Sequence, residues 1–325
     1  MSFSFSVNLD SQLVNPNKAS LETNKIYDFL IIGGGPTGYT AAIYAKRKGL
    51  DVGLITEKHG GQVVDTTSVE NYPGIKSISG EELANKFQNH AKQLEVPFIE
   101  GRVQGIDAKL IKTIVLADGT TYQTKAILIA TGSKPRHLNV PGEEAFYGKG
   151  VTYCAICDGP LFEGLTITIA GGGNSAVEAA IDMAKIAKRV HLVHRSEFRA
   201  DQILIDKLKT FDNIKIHLNT VIQEVIGSKL VTQLKVSDKT SNEIQFIDTN
   251  GLIVEIGYTP NSEPFEGLVS MNQRKEIETD EKGQTNIDGI FAAGDVTTVP
   301  YKQIVIASSE GAKAALAAND YLNTL

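Results

Sequence analysis

The sequence predicts an α/β protein with two dinucleotide-binding units, on three observations. A strand, a glycine turn, a helix and a second strand open near residue 27. The same order returns near residue 165. Both turns carry the spacing G-x-G-x-x-G or its alanine variant. The 325 residues suit about two domains at roughly 150 residues each. With 42% apolar and 22% charged residues, the chain matches a globular composition and can bury a core.

Residues 1–25 are polar, with Asn15-Pro16-Asn17 and no periodicity, and are predicted to be a surface extension. Tyr27 to Ile32 reads as a buried strand running into Gly33-Gly34-Gly35-Pro36-Thr37-Gly38. A helix follows from Tyr39 to about Lys48, with Ala41, Ala42 and Ala45 on one side. Gly49 ends it, and Val52 to Thr56 is the next strand. Lys112 to Leu116, followed by Asp118-Gly119, is a strand with a hairpin turn. Leu165 to Ala170 is again a strand, Gly171-Gly172-Gly173-Asn174-Ser175-Ala176 the turn, Val177 to Lys188 the helix and Val190 to Val193 the strand. The turns lie 138 residues apart, a repeat at domain scale and too long for a solenoid. The pattern breaks after Ile256-Gly257-Tyr258-Thr259-Pro260. The tail carries Ile290 to Asp295 and a helix from about Ile304 to Leu322.

A formal charge of −6, from 32 basic and 38 acidic residues, leaves no footprint for nucleic-acid backbone. The longest apolar runs, such as Ala126 to Ala130, fall far short of the about 20 residues of a membrane span. The first lysine is Lys18 and no apolar segment follows it, so no secretory signal is read and the chain is expected in the cytoplasm.

The two turns define where phosphates would sit. The first glycine (Gly33, Gly171) permits the tight turn, and the second (Gly35, Gly173) lets backbone approach a pyrophosphate. The third position (Gly38, Ala176) keeps helix and strand close, with Pro36, Asn174 and Ser175 opening the helices. Twenty-four residues after Gly33 stands Glu57; twenty-four after Gly171 stands Arg195, beside His194. An acid there accepts from a ribose 2′-hydroxyl and repels a 2′-phosphate, so the first unit suits FAD or NAD. An arginine does the reverse, so the second suits NADP. Either charge alone would pass for a solvated strand end; their equal offsets favour the functional reading.

The only cysteines are Cys154 and Cys157, followed by Asp158. So short a loop is a poor structural staple. A zinc half-site, two inert buried thiols and a redox dithiol are the readings. Zinc needs four ligands, and neither a second cysteine pair nor paired histidine spacing exists, so no metal is expected. A redox dithiol needs a thiolate and a proton carrier, which Asp158 supplies. Dinucleotide turns flanking the pair imply electrons passing from nicotinamide to flavin to disulfide.

Taken together these motifs resemble the low-molecular-weight thioredoxin reductases over about residues 26–325. The resemblance rests on Gly61-Gln62 with Glu70-Asn71-Tyr72-Pro73-Gly74, on Ala130-Thr131-Gly132, on Tyr153 to Gly159, and on Gly294-Asp295 with Lys302-Gln303. The alkyl hydroperoxide reductase flavoprotein shares the module, and Asp158 to Phe162 and Thr297 to Gln303 are especially similar to it. That protein has a further N-terminal thioredoxin-like domain. With ~25 residues ahead of the first strand here, the thioredoxin reductase pattern is the expectation.

The resemblance implies two Rossmann-like dinucleotide-binding domains in three ββα layers, the second inserted into the first. The expected divisions are 1–25 extension, 26–135 first part of the FAD domain, 136–258 NAD(P)H domain with the cysteine pair, and 259–325 the rest of the FAD domain. It implies a homodimeric thioredoxin-disulfide reductase. Hydride from NADPH reduces FAD, the flavin reduces Cys154–Cys157 with Cys157 facing the ring, and Cys154 attacks thioredoxin or a similar dithiol protein. Asp158 handles the proton. Gly61, Gln62, Asn71, Thr131, Gly132, Gly294, Asp295, Lys302 and Gln303 hold the flavin, and Asp295 bonds its ribityl chain. A domain rotation about Ser133–His137 and Gly257–Pro260 lets the pair meet flavin and partner in turn. The family's NADPH pattern, His-Arg-Arg and a further Arg after three residues, is shortened here to His194-Arg195-Ser196-Glu197-Phe198-Arg199. That leaves NADH, or ferredoxin, as alternative donors, and a peroxiredoxin-linked carrier as an alternative acceptor. A flavin-binding redox sensor without turnover is the reading of another class.

Overall fold

A computed structural model of the chain describes residues 20–66 and 68–325. Most of the expected surface extension, up to residue 19, lies outside the described residues.

The first sheet is built on β1 (Ile26–Ile32), flanked by β2 (Val52–Thr56) and then β3 (Phe98–Glu100) on one side. On the other side lie β6 (Thr121–Ile129), β5 (Lys112–Leu116) and β4 (Val103–Asp107). β1, β2, β3 and β6 run parallel; β4 and β5 are antiparallel additions, with the Asp118-Gly119 hairpin as expected. Both faces are covered, which is why β1 is apolar almost throughout. Phe29 and Ile31 enter the core under α1 (Pro36–Arg47) and α6 (Ile304–Leu322); Leu30 and Ile32 enter the core on the opposite face. Each such side chain contributes roughly 1.5–3 kcal/mol of burial. α2 (Gly80–Gln93) packs beside α1.

The last strand comes from far along the chain. β17 (Ile290–Ala292) pairs in parallel with β6, so the chain leaves this sheet after residue 129 and returns to complete it. The excursion forms a second, all-parallel sheet in the order β11 (Ile214–His217), β10 (Arg189–Val193), β9 (Thr166–Ala170), β15 (Gly251–Val254), β8 (Val151–Thr152). α4 (Asn174–Ala184) and α5 (Gln202–Leu208) cover one face. A three-stranded antiparallel sheet, β12 (Thr220–Gly227), β13 (Val231–Asp238) and β14 (Ile244–Asp248), covers the other. These are the ββα layers. Two Rossmann-like units result, the second inserted into the first.

The two crossovers meet. β7 (Ser133–Pro135) and β16 (Tyr258–Pro260) form an antiparallel ribbon, with Arg136 N–H donating to Gly257 O at 2.9 Å. Both helices after the glycine turns begin earlier than the apolar pattern suggests, at Pro36 and Asn174 rather than Tyr39 and Val177. Proline at the first helical position is pre-set for the helix and loses no needed donor. α4 ends at Ala184, not Lys188, because Lys188 is drawn back to Leu165 O to start β10.

Candidate functional site

The internal repeat is close enough to superpose by its hydrogen bonds. Gly33 N–H donates to Ile55 O, and Gly171 N–H donates to Val193 O. Thr56 therefore answers to His194 and Glu57 to Arg195, the equivalence the offsets predict. Both second glycines are open: nothing stands within 4 Å of where a Cβ of Gly35 or Gly173 would be. Neither α1 nor α4 has a side chain capping its first N–H groups. Unfilled donors at a helix N-terminus suit a phosphate. The third positions are closed: a Cβ at Gly38 would stand 1.8 Å from Gly33 O.

The residues expected to hold flavin gather around the start of α1. A Cβ at Gly294 would strike the Thr37 hydroxyl at 2.3 Å, and one at Gly311 the Thr37 carbonyl at 2.2 Å, so glycine lets the returning tail dock on this helix. Asn71 donates to Gln303 Oε1 at 3.2 Å. Asn261 clamps the Thr131-Gly132 turn, donating its side-chain amide to Thr131 O and accepting from the Thr131 hydroxyl at its own carbonyl. Burial pushes the Asp295 carboxyl up, against the pull of Lys302. Burial holds the Lys302 ammonium down while Asp295 and Glu276 raise it, and the ammonium donates to Thr297 O at 2.6 Å. Gly61 and Gln62 open the 3₁₀ turn Gly61–Asp65 facing Gly35. Glu57 is exposed.

In the second unit the His194 ring lies on the Gly172 backbone, where a Cβ would meet it at 2.2 Å. Arg199 N–H donates to Gly172 O at 2.8 Å. Burial, then Arg199 and Arg195, holds the His194 imidazole below its ordinary range. Arg195 and Arg199 are exposed, their charges bear on the buried His194 imidazole beside the turn, and exposed Glu197 lies between them in sequence. Ser175 and Asn174 are exposed at the start of α4, and Ala176 is buried.

Cys154 and Cys157 are joined as a disulfide across the one-turn helix α3 (Ala155–Asp158). The bond is the oxidised form that the redox-dithiol reading expects. Cys157 N–H donates to Cys154 Sγ at 3.2 Å. The Thr152 hydroxyl accepts from Cys154 N–H and donates to Asp158 Oδ2, which ties the carboxyl to the disulfide through one hydroxyl. Burial raises the Asp158 carboxyl above its ordinary value, with Thr152 pulling the other way.

Several groups here escape sequence reasoning. Tyr153, next to the disulfide, is held by both crossovers. Its carbonyl accepts from Tyr258 OH at 2.7 Å, and its hydroxyl donates to buried Glu143 at 3.0 Å, which leaves His137 Nδ1 to donate to it at 2.7 Å. Glu143 also accepts from Leu138 N–H and Asn139 N–H. Glu255 ends the apolar run Leu252-Ile253-Val254, and its Oε1 lies 3.5 Å from Ala155 N–H. A lone acid closing an apolar parallel strand was the signal available for it.

The chain matches the family model described as pyridine nucleotide-disulphide oxidoreductase over residues 27–311. It is 45% identical over 317 residues to an alkyl hydroperoxide reductase component of Escherichia coli, covering 94% of this chain and 60% of that one. It is 40% identical over 298 residues to a Bacillus subtilis protein named NADH dehydrogenase, covering 91% and 58%. The chain thus spans about three-fifths of the length of these curated relatives. The thioredoxin reductase of Streptococcus pyogenes superposes with a TM-score of 0.88 at 38% identity, covering 93% of this chain and 100% of that one. With both dinucleotide turns, the inserted second unit and the vicinal disulfide in place, the chain belongs to the pyridine nucleotide-disulphide oxidoreductase family.

Proposed function

We propose that this chain is a flavin-dependent disulfide reductase that takes electrons from NADPH and delivers them, through Cys154–Cys157, to a thioredoxin-like dithiol protein. The observation that carries the reading is the Cys154–Cys157 disulfide beside a half-buried carboxyl in a chain with two open dinucleotide turns.

The residues present fit FAD in the first unit. The uncapped start of α1 and the bare Gly35 suit its pyrophosphate, Glu57 suits an unphosphorylated ribose, and Asp295 is a half-buried carboxyl suited to the ribityl hydroxyls. When bound, the flavin supplies the relay between nicotinamide hydride and disulfide. The chain's own residues do the rest. Arg195 and Arg199 hold a 2′-phosphate, and Gly171, Gly173, Asn174 and Ser175 the pyrophosphate. The Cys157 N–H stabilises negative charge on Cys154 Sγ, which makes Cys154 the attacking sulfur and leaves Cys157 to face the ring. Asp158, whose proton affinity burial raises, relays a proton to the departing partner thiolate. Rotation about the β7/β16 ribbon exposes the pair to its partner.

A second reading is supported by Glu197 and the shortened loop, and by the relatives named for NADH and for alkyl hydroperoxide reductase. In it NADH is the donor and the acceptor is a peroxide-linked dithiol carrier. Stopped-flow bleaching of bound flavin by NADPH and by NADH decides the donor, with the faster reaction expected from NADPH. Reduction of thioredoxin by Cys154→Ser protein at the wild-type rate would overturn the assignment of the nucleophile.

A further inference from the structure

We propose that Glu255 is a positioning residue for the Cys154–Cys157 couple: its carboxyl is aimed at the Ala155 N–H that opens α3 and takes up a proton when the disulfide opens. The inference rests on the disulfide-reductase reading above.

Strand register brings Glu255 to the pair. β15 and β8 run parallel, with Leu252 beside Val151 and Ile253 beside Thr152, so two residues on Glu255 stands level with Cys154. Its side chain then reaches toward Ala155, the residue between the sulfurs that begins α3. The contact is long at 3.5 Å, so it aims the carboxyl more than it fixes it.

The fold itself does not ask for an acid here. In the first unit a Cβ at Gly33 would meet Ala130 O at 2.1 Å; in the second a Cβ at Gly171 would meet Glu255 O at 2.2 Å. Ala130 and Glu255 are therefore the same position in the two units, and what the turn needs from it is a carbonyl. Alanine meets that need in the first unit. The carboxyl of Glu255 is extra, half-buried, and aimed at the residue that follows Cys154.

Among the described residues, no basic side chain pairs with it. From its own segment it faces Tyr258, which in turn faces Asp295 and Tyr147. Strand register puts Cys154 level with Glu255, Asp158 closes the helix whose first N–H its carboxyl points toward, and the Glu255 carbonyl lies against Gly171, next to the Gly172 that carries the His194 ring. Burial pushes the carboxyl up to about 7, with the Ala155 N–H pulling it down. It is thus part-ionised near neutrality while the disulfide is closed.

Opening the bond consumes two electrons, from reduced pyridine nucleotide in the proposed reaction and from dithiothreitol in the test. The disulfide, the Glu255 carboxylate, two electrons and two protons become one thiol, one thiolate and the Glu255 carboxylic acid. The new thiolate is what raises the proton affinity of the carboxyl beside it.

The test is a redox titration of the cysteine pair in the flavin-loaded full chain, in dithiothreitol buffers from pH 6 to 9, read by alkylation and mass. From about pH 7 up to the pH at which the reduced form itself releases that proton, the wild type is expected to take up as much as one proton more per disulfide than E255Q, and the two curves run alike below about pH 6, where Glu255 is protonated in both states. E255A carries the same test on the side chain the first unit already uses. Curves for wild type and variants that run parallel over the whole range would overturn the role of Glu255 and leave the reductase reading intact. A wild-type pair that dithiothreitol does not reduce would overturn the reductase reading and this inference with it.

Discussion

The proposed choice of donor rests on the surroundings of His194. It sits on a glycine that must lack a side chain, lies within 5° of parallel to the Phe198 ring, and is held in its neutral form by burial and by the charges of Arg199 and Arg195. A charged hydrogen bond is worth roughly 1.5–3 kcal/mol, and 1.4 kcal/mol is about tenfold in affinity. R195A and R199A are each expected to raise KM for NADPH about tenfold and to leave KM for NADH unchanged in steady-state kinetics. Equal rises for both nucleotides would mean the arginines act on the shared part of the dinucleotide. E197Q is expected to lower KM for NADPH, because it removes the one negative charge between them. The shortened motif is legible in the sequence; that Arg199 is brought back to the glycine turn is not, since its N–H bond to Gly172 O sets it.

At the scale of elements, the contact that matters most is α6 on α1. Gly311 is the point of closest approach, with no space for a methyl against Thr37 O. The segment leading into α6 carries Lys302 and Gln303, and Gly294-Asp295 precedes it. A Gly311→Val change is expected to push α6 outward, at roughly 1–3 kcal/mol of overpacking. Flavin retention after gel filtration should fall before the melting transition is lost. The ribbon of β7 and β16 is the other telling element. Glycine and proline mark both crossovers in sequence, but nothing local says that they pair, or that Tyr153 ties the disulfide to each of them.

For the molecule as a whole, a part-buried imidazole pair is expected to make stability depend on pH. His191 Nδ1 lies 3.0 Å from His217 Nε2, between the parallel sheet and its antiparallel cover. Burial, then His217, holds His191 down to about 4, and burial also lowers His217. A depressed histidine is neutral when folded and gains its proton more readily unfolded. Its contribution to stability is therefore complete above about pH 6.5 and is lost as pH falls toward about 4, at up to roughly 1.4 kcal/mol per pH unit for one such group. Urea unfolding from pH 7.5 to 4.5 should follow that slope, and H191Q should flatten it by one proton. An unchanged slope in the variant would place the acid sensitivity among the carboxylates. Among the described residues, no helix is long and apolar enough to cross a membrane.

The sequence by itself determined whatever depends on neighbours a few residues apart. The two glycine turns, the strands that feed them, the 304–322 helix and the Cys-x-x-Cys spacing follow from local sterics and periodicity, which a linear reading captures. Tertiary structure alone decided what depends on distant partners. Asn71 meets Gln303 across 232 residues, Tyr258 meets Tyr153 across 105, and Glu255 reaches the disulfide helix across 100. Those meetings are set by parallel strand register and by the return of the chain to its first sheet, and neither leaves a local trace in the amino acids that take part.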